Sequence, residues 1–145
     1  MKVKFKRFDE KAVIPYKTYA NDFCYDCVAT SCEEIAPNVF KYGLGFGLQI
    51  VRKSMDDNLF SFDLRPRSSI YKTGMVLSNS CGTVDENYTN ELSAIFYKVA
   101  DGEIYKVGDR ICQIKIGYTK PITFIEVDEL DKTDRGLGGF GSTGK

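Results

Sequence analysis

Histidine is absent from this 145-residue chain. That removes Ser-His-Asp and Cys-His catalysis and every His-ligated metal site, and leaves proton transfer to Asp, Glu, Lys, Tyr or Cys. Against that restriction, four polar stretches and the C-terminus stand out. Asp26 is an acid in an apolar context, beside Tyr25. Arg65-Pro-Arg67-Ser68-Ser69 follows an alternating strand pattern, and a guanidinium with two hydroxyls after a proline can present donors to phosphate oxygens. The polar run Ser78–Glu91 carries Asn79, Gly82, Val84, Asp85 and Tyr88; its fourteen residues are long for a connection in a compact domain, and long ordered loops tend to be functional. Gly108-Asp-Arg-Ile-Cys-Gln113 opens a strand and places a polar Gln113 inside an apolar alternation, where it needs a partner.

The last eleven residues, Arg135 to Lys145, contain five glycines. Such a run builds neither helix nor central strand. Its side chains nevertheless suit an anionic, aromatic ligand: Arg135 is a planar fork, Phe140 a flat face, Ser142 and Thr143 hydroxyl donors, and glycines such as Gly141 let backbone N–H groups approach phosphate. A flexible terminal linker is the plain alternative. Gly139–Lys145 also matches G-x-x-x-x-G-K, but a P-loop continues into a helix whose N-terminus faces the phosphates, and this chain has no residue beyond Lys145.

The elements that must carry these residues read as strands. Lys2–Phe8 alternates as a lysine-guarded edge strand. Asp22–Ala29 is a short extended piece. Cys32–Asn38 is polar and ends in a Pro37-Asn38 turn. Val39–Val51 is the clearest strand, with Phe40, Tyr42, Leu44, Phe46, Leu48 and Ile50 on one face; Gly43, Gly45 and Gly47 on the other face predict a closely approaching backbone. After a charged turn, Arg52–Asn58, strands are expected at Phe60–Leu64, Ile70–Leu77 (with Gly74 as a bulge), Leu92–Val99, Ile104–Val107, Arg110–Ile116 and Ile122–Val127. Helical turns are placed after Lys72 or near Asp131. Eight to ten short strands without helical periodicity predict an all-β barrel or jelly roll. One domain spans residues 1–134, and 135–145 form a separate glycine-rich tail.

Composition bounds the partners. Twenty acids balance twenty bases, which argues against a general nucleic-acid or membrane-surface binder. No apolar run approaches the ~20 residues of a membrane span. The N-terminus is charged without an apolar h-region, so the expected location is the cytoplasm, or a host cell's cytoplasm if the source is viral. Cys24 and Cys27 have C-x-x-C spacing and Cys32 follows, but a zinc site would need Cys81 or Cys112 as a fourth ligand; reduced, buried or half-buried thiols are the simpler reading.

Taken in order, Asp22–Ala29, Pro66–Ser69, Gly82–Glu91, Gly108–Gln113 and Arg135–Gly144 resemble the five motifs of the trimeric dUTP pyrophosphatase (dUTPase) family. The resemblance implies a β jelly-roll homotrimer with active sites shared between subunits. It implies hydrolysis of dUTP to dUMP and pyrophosphate with Mg²⁺, limiting uracil in DNA and supplying dUMP. By matching positions, Asp85 would deprotonate the attacking water and touch the sugar 3′-hydroxyl. Tyr88 would exclude a 2′-hydroxyl, and the Asn79–Val84 backbone, with Gly82, would pair with uracil. Ser68, Ser69 and Gln113 would contact phosphate, and Arg67 would hold phosphates and position Asp85. Asp26 would bind Mg²⁺ through water, Phe140 would cover uracil, and Arg135, Gly141, Ser142 and Thr143 would close on the phosphates. Departures are Ser69 for a common glycine, Asn90 after the tyrosine, Phe23-Cys24 before Tyr25-Asp26, and a long Arg52–Asn58 turn. A dCTP deaminase of the same superfamily, which would need a glutamate proton shuttle such as Glu86 or Glu91, and a non-catalytic nucleotide-binding protein are the alternatives.

Overall fold

The computed structural model describes residues 1–52 and 58–139. Ten strands and one short 3₁₀ helix make up the regular structure among these residues. The strands are β1 (Lys2–Arg7), β2 (Tyr25–Val28), β3 (Ser31–Ala36), β4 (Val39–Gly43), β5 (Phe46–Val51), β6 (Leu59–Pro66), β7 (Met75–Leu77), β8 (Gly82–Asp85), β9 (Ser93–Lys98) and β10 (Arg110–Thr119), and the 3₁₀ helix is Ser68–Lys72. They form antiparallel sheets ordered β2-β10-β6-β8 and β3-β4-β9-β7, with β1 and β5 paired separately. Apart from the β3–β4 hairpin, strands adjacent in the two four-stranded sheets are not consecutive in sequence, as in a jelly roll. The expected all-β, jelly-roll-like class is therefore the observed one.

The core forms on one face of the Val39–Val51 alternation. Tyr42, Leu44, Phe46, Leu48 and Ile50 are all buried, and Phe40 packs against them partly covered. The chain does not run through as one strand, however. Gly45 takes a left-handed φ of 69° and splits the segment into β4 and β5, which pair with different neighbours while keeping one apolar face. The close backbone approach expected at the glycines is present at Gly47, where an added Cβ would lie 2.7 Å from the Thr89 carbonyl oxygen. Tyr42 anchors the centre: its ring meets Phe96 edge-on at 5.7 Å and its hydroxyl donates to the Tyr105 carbonyl at 2.9 Å.

Several local expectations are corrected. The polar 32–38 segment contains a strand, β3, because its backbone pairs with β4 while its side chains stay exposed. Ile70–Leu77 is not one strand: the 3₁₀ helix occupies its first half and Gly74, at φ 64°, releases the chain into β7. The long polar loop holds β8, which pairs with β6. Residues 104–107 and 122–127 form no strand. In the latter, Ile122, Phe124 and Ile125 are 72–89% exposed, so an apolar segment has no neighbouring strand among the described residues.

Candidate active site

Sheet order assembles the first cluster. Asp26 on β2 stands opposite Gln113 on β10, and β6 on the other side of β10 ends at Pro66, delivering Arg67 beside them. Asp26 is 7% exposed, and its carboxylate accepts from every side. Arg67 Nε donates to Oδ1 at 2.9 Å, Arg110 Nη1 to Oδ2 at 2.9 Å and Gln113 Nε2 to Oδ1 at 3.4 Å. The polar Gln113 thus has the partner its setting demanded. Arg110 lay in the sequence stretch but received no role there; the signal was a second arginine one strand from the acid, and only strand pairing reveals that both reach one carboxylate. Two guanidiniums on one acid leave the cluster cationic. It lines a cavity of about 510 Å³ together with Lys17 and Thr18, two further polar residues that sequence reasoning passed over. On the other side of the arginines, Ser69 lines a second cavity of about 410 Å³ with Lys72. Ser68 and Ser69 open the 3₁₀ helix, and their hydroxyls have no protein partner among the described residues.

The second cluster sits on β8. This is an edge strand, so one side of its backbone is unpaired and able to meet a planar hydrogen-bonding ligand. Asn79 is exposed before it, Gly82 packs against Asn79, and Val84 pairs with Phe62. Asp85 ends the strand, exposed, with no hydrogen-bond partner for its carboxylate among the described residues. The Tyr88 N–H closes a turn on the Asp85 carbonyl at 3.0 Å, and the Tyr88 hydroxyl donates to the Glu91 carbonyl at 3.0 Å. Asp85 lines a cavity of about 670 Å³ with Gln49, Arg52 and Phe60.

These two clusters do not meet within one chain. Asp85 pairs with Ser61 on β6, whereas Arg67 lies six residues further along the same run. At about 3.3 Å per residue the separation is roughly 20 Å. Within this chain Arg67 contacts Asp26, and Asp85 lies well away from it. From the tail, Arg135 Nε donates to the Gly138 carbonyl at 2.8 Å, while Phe140, Gly141, Ser142 and Thr143 lie outside the described residues.

No group of three or more Cys, Asp or Glu side chains among the described residues could enclose a metal ion. A sparse oxygen donor set of this kind fits a hydrated hard cation, such as Mg²⁺, that would meet the protein through water. Asp26 and Asp22 are the carboxylates lining this cavity, and the two long contacts of Asp26, Gln113 at 3.4 Å and Arg67 Nη2 at 3.5 Å, are those a metal-bound water could replace. The cysteines are dispersed. Cys27 and Cys112 are buried opposite each other on β2 and β10, where the hydrogen bond to Cys112 and burial push the Cys27 thiol up; Cys24 and Cys81 are half-buried and Cys32 is exposed.

The dUTPase family model matches residues 10–144. The chain belongs to the dUTPase family. A deoxyuridine 5′-triphosphate nucleotidohydrolase of Helicobacter pylori (strain P12) is 33% identical over 149 aligned residues, covering 99% of this chain and 97% of the relative. The enzyme of the same name from Wolinella succinogenes is 33% identical over 150 residues, covering 100% and 95%. Among solved structures, the dUTPase of Staphylococcus bacteriophage 80alpha with dUPNHPP superposes with a TM-score of 0.78 at 20% identity over 99% of both chains. A mutant dUTPase of phage phi11 of S. aureus, described with a structural Mg(II) ion, superposes at 0.71 with 17% identity, covering 91% of this chain and all of that one. At these identities the two phage proteins establish the shared dUTPase fold.

Proposed function

We propose that this chain is a Mg²⁺-dependent dUTP diphosphohydrolase, releasing dUMP and pyrophosphate. Membership of the dUTPase family over residues 10–144 carries the reaction. Two arginines gripping a buried acid beside a cavity large enough for phosphates support the binding half of the site. Arg67 and Arg110 draw in the polyphosphate, with Ser68, Ser69 and Gln113 donating to its oxygens. Asp26 holds the two guanidiniums on opposite carboxylate oxygens, and its carboxylate is the group that would meet the waters of Mg²⁺. When bound, that ion supplies charge neutralisation on the triphosphate.

Asp85 is the base. Its exposed carboxylate accepts a proton from a water, and the resulting oxygen attacks the α-phosphorus while pyrophosphate departs. The unpaired edge of β8 from Asn79 to Val84, opened by Gly82, reads the uracil edge. Tyr88 lies against the deoxyribose. The tail, with Arg135, Phe140, Gly141, Ser142 and Thr143, forms a unit distinct from residues 1–134 and closes over the nucleotide.

The roughly 20 Å between Arg67 and Asp85 supports a site built from two subunits, phosphate-binding on one and base and uracil contacts on the next; a closed homotrimer with shared sites satisfies this. The dCTP deaminase alternative needs a glutamate able to move protons. Glu86 is instead forked to Arg52, and the Glu91 Oε1 accepts the Gly45 N–H at 3.0 Å. The expected location is the cytoplasm; no described helix is long and apolar enough to cross a membrane.

Pyrophosphate release from dUTP, dCTP, dTTP and UTP with Mg²⁺ is the deciding measurement. Release from dUTP at least about 100-fold faster than from the others is expected, because a site built to hydrogen-bond its ligand rejects analogues strongly. No release from dUTP, or ammonia release from dCTP, would overturn the reading.

A further inference from the structure

Two charged residues have no part in the proposed reaction: Arg52, which follows β5, and Glu86, the acid next to Asp85. The fold joins them. Arg52 leaves the end of β5 and its guanidinium meets the Glu86 carboxylate side-on, Nε to Oε1 at 2.7 Å and Nη2 to Oε2 at 2.6 Å. The same Nη2 donates to the Asn58 carbonyl at 2.9 Å, and the guanidinium lies over the Phe60 ring at 5.3 Å. The Phe60 N–H reaches Glu86 Oε2 at 3.4 Å. Glu86 is thus held from the end of β5 and the start of β6 at once.

Glu86 is also the second residue of the Asp85–Tyr88 turn, closed by the Tyr88 N–H on the Asp85 carbonyl. Nothing else among the described residues holds the Asp85 side chain. The direction in which Asp85 points is then set by the backbone of that turn, and the turn is fixed to the rigid sheets through Glu86. A forked Arg–carboxylate pair constrains angle as well as distance, which a lysine cannot do. At 35% and 23% side-chain exposure the pair adds little to global stability. Its geometry is suited to orientation.

We propose that the Arg52–Glu86 fork is a positioning device for Asp85: it aims the Asp85 carboxylate and the Tyr88 ring into the site, and Glu86 itself moves no proton. The inference rests on Asp85 being the base. Both carboxylates are adjacent in sequence, yet one is exposed and unpartnered and the other fully engaged. That division suits one group that reacts and one that holds.

The test uses the full chain with dUTP and Mg²⁺, comparing Glu86→Gln, Arg52→Met, Arg52→Lys and the exchanged pair Arg52→Glu with Glu86→Arg. A misdirected reacting group costs roughly ten- to a hundred-fold in rate. Each single variant is expected to lose about ten-fold or more in kcat, with KM changed less than about two-fold and the melting temperature within about 2 °C. Arg52→Lys should not rescue, and the exchanged pair should recover at least half of the logarithmic loss. The acid limb of the kcat–pH profile should survive in Glu86→Gln. Wild-type kcat in the single variants, multiplied losses in the exchanged pair, losses confined to KM or melting temperature, or disappearance of the acid limb in Glu86→Gln would each overturn the fork's role. An active wild-type enzyme with unaffected variants counts against the fork alone. A wild-type chain that releases no pyrophosphate removes the proposed function and the fork with it.

Discussion

Asp26 and Asp85 are both acids at strand ends of one sheet, yet the fold treats them in opposite ways. Asp26 is buried, with three donors on its carboxylate from elements 41 to 87 residues away. Asp85 is exposed and has no partner among the described residues. A buried acid matched to guanidiniums is bound too firmly to act as a base but organises cations for a polyanion. An acid at the end of an edge strand stays available to a small reactant. On the proposed function, the contrast separates a phosphate-binding half-site from a reacting half-site, and the roughly 20 Å between them fits a site completed by a second subunit.

The largest expected effect comes from the reacting half. Asp85→Asn should lower kcat by about 10³-fold while dUTP binding, followed by calorimetry, stays within a few-fold. Arg67→Met should be inactive for a different reason, weak binding. If the halves belong to different subunits, refolding the two inactive variants together should restore measurable turnover, since some mixed sites contain neither substitution. Strict inactivity of the mixture, or a monomer in sedimentation, would break the division.

If the tail acts as the proposed lid, removing residues after Asp134 should leave a folded protein with at least about 100-fold less turnover, because a lid contributes through substrate enclosure and not through the core. Full activity of the truncated chain would refute the lid. On the binding half, Asp26→Ala should destabilise by about 3 kcal/mol in urea unfolding, since it strands two guanidiniums. Asp85→Ala, on the exposed half, should change stability by less than about 0.5 kcal/mol. Equal effects would erase the structural contrast.

The smallest effect concerns a third acid, Asp63 on β6, which is buried but lies on neither half-site. Burial pushes its carboxyl up, while hydrogen bonds from Lys115 and Ser61 and the charges of Lys115 and Arg65 outweigh this and bring it below its ordinary 3.8. A depressed folded value means stability present above about pH 4 and lost as pH falls through the folded value. Asp63→Asn should therefore cost about 1 kcal/mol at pH 6, and the difference from wild type should narrow below pH 4. A constant difference across that range would show that charge is not the cause.

Much of the fold was legible in residue order because burial on one face of a strand imposes a period of two. Tyr42 to Ile50 kept their common face even though the strand breaks at Gly45, since the break changes pairing partners and not the inward set. Segments whose pairing is exposed were less readable: β3 carries no apolar alternation, and β8 hides in polar residues that an edge strand tolerates. Residues 122–127 have the alternation without a pairing strand among the described residues, so pattern alone misreads them.

For the candidate site, the sequence by itself determined the inventory: no histidine, two separated acids, arginines and hydroxyls in five ordered stretches, and a glycine-rich end. Side-chain type dictates what chemistry is open, and that is local information. Tertiary structure alone decided that Arg110 shares Asp26 with Arg67, that Glu86 is committed to Arg52, and that Asp85 lies a strand's length from the Asp26 cluster. The reason is physical: hydrogen bonds and charge pairing act over a few ångströms between groups up to 87 residues apart, and strand order, which no local pattern encodes, sets those neighbours.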